Sequence, residues 1–157
     1  MRSLIIRFAD YEGPAYLEEL LRKKGFGITF HDSYKMGLKL IDNSHLVFDL
    51  IILMGGPQSV YEDSLKSFFE PFKELVLNSY NNPKSKIIGI CLGSQVIAEA
   101  FGSKVYRGGA GEEVGFGKCK ILSKENPIFS GLEGDEVNVF HLHGDTFEIP
   151  EKSEHLL

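Results

Sequence analysis

Residues 86–101, Lys86-Ile87-Ile88-Gly89-Ile90-Cys91-Leu92-Gly93-Ser94-Gln95-Val96-Ile97-Ala98-Glu99-Ala100-Phe101, decide the fold. The apolar run Lys86 to Cys91 reads as a strand, and Gln95 to Phe101, closed by Gly102, as a short helix. Between them lies G-x-C-x-G, a nucleophile elbow: a tight strand-to-helix turn that projects one side chain while flanking glycines let neighbouring backbone approach. A thiol at a helix N-terminus has its thiolate favoured by the dipole and the free N–H groups, and the Leu92 N–H can face a developing oxyanion. Cys91 also reads, more plainly, as a small buried residue between two elements.

Working outward, the same alternation recurs. Phe48 to Met54 is nearly continuous in its apolarity, as expected of a strand buried on both faces, and Gly55-Gly56-Pro57 closes it. From Asp63 to Tyr80, Leu65, Phe68, Phe69, Phe72, Leu75 and Val76 form a helical stripe, which Pro71 is expected to kink or divide. Earlier, Ser3 to Phe8 reads as a strand. A helix then begins with Pro14 at its first position, carries Leu17, Leu20 and Leu21, and stops at Gly25, before a second strand from Gly27 to His31. Strands alternating with helices predict an α/β fold with a mainly parallel central sheet flanked by helices. The last third, with strands at 104–107, 113–122 and 137–142 and no long helix between them, predicts a small antiparallel extension.

The 157 residues suit one domain, 1–157, on a ~150-residue prior. With 43% hydrophobic and 25% charged residues, the chain can build an ordinary core. Its 22 acidic and 17 basic residues give a net charge of −5, which argues against nucleic acid as a partner. No apolar run approaches the ~18 residues of a membrane span or makes a signal-peptide core, so a cytoplasmic location without membrane association is expected. Cys91 and Cys119 lack metal-ligand spacing, so no zinc site, disulfide framework or cofactor is expected.

Two other segments could carry chemistry. Gly55-Gly56-Pro57 fits a structural turn, but at the carboxyl end of a strand beside the elbow it could offer a second N–H to an oxyanion. In Phe140-His141-Leu142-His143-Gly144-Asp145-Thr146-Phe147, His141 and His143 are read as facing opposite sides of a strand, so no metal pair is expected. Gly144-Asp145 fits either an ordinary Asx-type turn or a loop lining a substrate.

Taken together, Gly55-Gly56-Pro57-Gln58-Ser59-Val60-Tyr61, Gly89 to Gln95, Glu113-Val114-Gly115-Phe116 and His141 to Phe147 resemble, in order, the motifs of class I glutamine amidotransferases. The similarity covers essentially the whole chain and is closest to stand-alone proteins like the amidotransferase domain of guanosine monophosphate synthetase. It implies that Cys91 attacks the side-chain amide of glutamine, that Gly56 and Leu92 supply oxyanion N–H groups, and that Gln95, His143, Gly144 and Asp145 hold the substrate. Glu113 and Gly115 match the family pattern and equally a structural strand pair. The implied partner is an ammonia-accepting synthetase subunit.

Family members complete a Cys-His-Glu triad with an H-P-E sequence, and these 157 residues contain none. The sequence reading is therefore a glutaminase that lacks the C-terminal base and acid. Its alternatives are a non-catalytic glutamine-binding or regulatory protein, or a related cysteine hydrolase acting on γ-glutamyl compounds.

Overall fold

Four short strands set the frame: β1 (Arg2–Arg7), β2 (Gly27–Asp32), β3 (Leu50–Leu53) and β4 (Lys86–Gly89). In the computed structural model, which describes residues 1–37, 47–109 and 111–157, they form a parallel sheet in the order β2-β1-β3-β4. The central strands are the most apolar in sequence because both their faces are covered. Alternation along them splits the core in two. Leu4, Ile6, Ile51 and Leu53 face α3 (Lys66–Tyr80) and α4 (Leu92–Ala100), whereas Ile5 and Ile52 face α1 (Tyr16–Lys23) through Leu17 and Leu21. A short helix, α2 (Ser33–Met36), follows β2.

Two prolines sit differently from the sequence expectation. Pro14 precedes α1 rather than opening it. The residue between them, Ala15, turns the chain at φ 46°, and Pro14 contributes its carbonyl to the Leu17 N–H. Pro71 lies inside α3 and does not divide it. The helix forgoes the bond that residue 71 would donate to Ser67, but Phe69 and Phe72 on either side are fully buried and pack with Phe8, at ring separations of 5.8 and 5.1 Å. Tertiary packing outweighs the local penalty here.

The last third forms two antiparallel pairs, as expected: β5 (Val105–Arg107) with β8 (Asp145–Phe147), and β6 (Glu113–Lys120) with β7 (Glu136–His143). Here the reading of the two histidines is overturned. A two-residue step returns a strand side chain to the same face. His141 and His143 accordingly lie side by side, their rings 5.8 Å apart, on the face shared with Glu113. The opposite face carries Val114, Phe116, Phe140 and Leu142, all exposed.

The contrast between core and ribbon yields a stability test. Phe72→Ala is expected to cost about 3–5 kcal/mol in urea denaturation. Phe116→Ala, on a side chain 78% exposed, is expected to cost less than about 1 kcal/mol.

Candidate active site

The elbow is built by backbone contact. The Ile90 N–H donates to the Leu53 carbonyl at 2.9 Å and the Gly93 N–H to the Met54 carbonyl at 3.1 Å, which ties the start of α4 to the end of β3. No side chain fits at either glycine. A Cβ on Gly93 would strike the Leu53 carbonyl, and one on Gly89 would lie 2.6 Å from the backbone of Gly93 and Ser94. Cys91 caps α4 with φ 52° and ψ −115°, a conformation costly for a residue with a side chain and sustained by this stitching. Its carbonyl accepts from the N–H groups of Ser94 and Gln95 and from the Ser94 hydroxyl.

A cavity of about 290 Å³ opens at this carboxyl edge of the sheet, bordered by Gly56, Cys91, Gln95, His143, Gly144 and Asp145. Segments up to 89 residues apart in sequence thus meet at one place. The Leu92 N–H lies against the Cys91 sulfur, while the Leu92 side chain is buried in the core. Gly56 is tightly enclosed: a Cβ there would meet Phe8 at 2.8 Å and Leu92 at 2.9 Å.

The far wall is held by hydrogen bonds across the fold. Ser59 Oγ donates to Asp145 Oδ2 at 2.9 Å and the Tyr61 hydroxyl to Asp145 Oδ1 at 3.1 Å. The Gly108 N–H donates to the Gly144 carbonyl at 2.8 Å. His143 Nδ1–H donates to the Asp145 carbonyl at 3.2 Å. These contacts account for Gly144-Asp145 better than a free-standing turn does.

The structure adds residues that carry no role in the sequence reading. Gln58, inside the 55–61 motif, borders the cavity, as do Arg107 and Glu112, which lie in no quoted motif. Gln58 donates its amide to the Phe8 carbonyl at 2.9 Å, yet its Oε1 is buried without a protein partner, as is Oε1 of Gln95. Two buried acceptors beside one cavity are suited to a ligand that brings N–H donors. Glu12 is a further addition. A Cβ on Gly55 would lie 2.9 Å from its carboxylate and 3.5 Å from Cβ of Cys91.

Helix-terminal activation of the thiol is only part of the electrostatics. Although the residue as a whole is exposed, desolvation around the sulfur is the largest influence and pushes the thiol up; the Leu92 N–H acts in the opposite direction. The carboxylates of Glu12 and Asp145 raise it further. The net effect is a thiol held above its ordinary value.

Comparison with known proteins agrees with this arrangement. The family model described as glutamine amidotransferase class-I matches residues 15–156. Among curated proteins, the glutamine-hydrolysing GMP synthase of Thermotoga petrophila is 37% identical over 97 residues, which cover 62% of this chain and 17% of the synthase. That of Thermus thermophilus is 37% identical over 100 residues, 64% of this chain and 18% of the synthase. The chain therefore spans less than a fifth of these relatives. A crystallised glutamine amidotransferase from Thermotoga maritima superposes with a TM-score of 0.86 at 31% identity, over 99% of this chain and 66% of that one. With its nucleophile-elbow geometry, its α/β sheet and a family match across nearly its whole length, the chain belongs to the class I glutamine amidotransferases.

Proposed function

We propose that this chain is the glutamine-hydrolysing part of an amidotransferase. Glutamine enters the cavity with its side-chain amide beside Cys91. The sulfur adds to the amide carbon, ammonia leaves with the transferred proton, and water cleaves the resulting thioester to give glutamate and the free thiol. The N–H groups of Gly56 and Leu92 are assigned to the oxyanion, and Gln95, His143, Gly144 and Asp145 to the substrate. The observation that carries the reading is the meeting of Gly56, Cys91, Gln95 and Gly144 at one cavity. The charges suit an amino acid: Arg107 can pair with its carboxylate, and Glu112 and Asp145 with its ammonium. The GMP synthase relatives support a synthetase partner as the ammonia acceptor.

The weak point of these 157 residues as a catalyst is proton transfer. The Cys91 thiol faces the Leu142 carbonyl at 3.9 Å, an acceptor that does not act as a base at neutral pH. The family's H-P-E is not among these residues, and a missing general base typically costs ~10²–10⁴-fold.

Three outcomes test the proposal. A glutamine analogue bearing an electrophilic carbon in place of the amide should label Cys91 and spare Cys119 in peptide mapping; labelling of Cys119 alone would overturn the assignment. The 157 residues alone should release ammonia from glutamine at least ~10²-fold more slowly than the same chain joined to an H-P-E segment. Robust release by the chain alone, lost in Cys91→Ala, would show that a histidine within it serves as the base. Finally, Glu12→Gln removes a charge that raises the thiol. The pH midpoint for iodoacetamide alkylation of Cys91 should therefore move down, and an unchanged or higher midpoint would contradict the role given to Glu12.

A further inference from the structure

On the inward face of the β6–β7 ribbon, three metal-ligating side chains converge. Glu113 lies directly opposite His143, and Gly115 opposite His141. Glu113 Oε2 is 3.6 Å from His141 Nδ1 and 3.7 Å from His143 Nε2, and one donor atom from each of the three residues lies within 4.8 Å of the other two. In a tetrahedral site with bonds of ~2.0–2.1 Å, neighbouring ligand atoms are about 3.3–3.4 Å apart. The two Glu–His separations thus need to shorten by only a few tenths of an ångström. The third closes by rotation of side chains that are all at least a quarter exposed.

Two further features prepare these side chains for a cation. His143 donates Nδ1–H to the Asp145 carbonyl, so in the neutral ring Nε2 carries its lone pair toward Glu113. A histidine oriented by a backbone carbonyl through its other nitrogen is the usual support of a metal ligand. The space for the His141 ring comes from glycine: a Cβ on Gly117 would lie 3.0 Å from its Cδ2 and Nε2. An ordinary cross-strand ion pair requires one histidine, whereas here two imidazole nitrogens approach the same carboxylate oxygen.

We propose that Glu113, His141 and His143 form a binding site for a borderline divalent transition metal of the Zn(II) class, with a fourth position open to water. Two imidazoles and one carboxylate select that class over Ca(II) and Mg(II), which take all-oxygen shells. The proposal stands independently of glutamine hydrolysis. Because His143 also borders the Cys91 cavity, a bound ion would fix one wall of it.

The test uses the 157-residue chain carrying Cys91→Ser and Cys119→Ser, so that thiols cannot bind the probe, which is Zn(II) alone followed by calorimetry. One equivalent should bind saturably. Glu113→Gln, His141→Asn and His143→Asn should each weaken it by more than about tenfold, and His31→Asn and His155→Asn should leave it unchanged. NMR of the histidine rings in the unsubstituted ribbon provides a measurement that does not depend on the variants folding: Zn(II) should shift the signals of His141 and His143 together. Absence of stoichiometric binding, binding that survives loss of both His141 and His143, or ring shifts confined to other histidines would overturn the proposal.

Discussion

The close approach of the Gly93 backbone to the Leu53 carbonyl governs the geometry of the site. A side chain at 93 would push α4 off the end of β3, and one at 89 would collide with the next turn of the chain. With both positions bare, the Gly93 N–H reaches the Met54 carbonyl, and the peptide between the two glycines is forced through the left-handed turn that presents Cys91. The core shares this dependence, since Leu92 and Val96 of the same helix are buried against β1, β3 and α3. Packing energy from the core thus holds a backbone conformation that is unfavourable in isolation.

The second half of the site is attached differently. The β6–β7 ribbon stands outside the central sheet, and β8 pairs with the short β5. Polar contacts help bring His143, Gly144 and Asp145 to the elbow, from Gly108 to Gly144 and from Ser59 and Tyr61 to Asp145, beside the core packing of Val105 and Phe147. Burial fixes Cys91, whereas the opposite wall joins the anchoring of Val105 and Phe147 against the same core to individually modest hydrogen bonds.

This difference explains how much of the molecule was legible in the sequence. β1, β3 and β4 announce themselves as continuous apolar runs, and G-x-C-x-G is a local signal because its chemistry depends on neighbours within two residues. Pro71 does not divide α3, because the aromatic packing that holds the helix together involves Phe8, far away in sequence. Arg107 and Glu112 carry no motif, and Gln58, though inside one, has no role that its neighbours signal; only the assembled cavity identifies all three. The histidine pair is a separate case. Strand periodicity alone places His141 and His143 on one face, but Glu113 joins them through the β6–β7 register, which a single sequence does not disclose.

The electrostatics of Cys91 depend on both its local turn and the assembled fold. The local sequence gives the sulfur only favourable surroundings, a helix terminus and the Leu92 N–H. The folded chain adds desolvation and two carboxylates, one from the loop after β1 and one from β8, and these prevail. Position and ionisation of the Cys91 thiol therefore have separate origins. Position is encoded within a few residues and maintained by the core, while ionisation is opposed by groups that only the tertiary fold brings near. A thiol raised in this way is a less reactive one, because the thiolate is the reactive form. A base aimed at the sulfur, or a cationic group placed in the cavity against Glu12 and Asp145, would favour the thiolate.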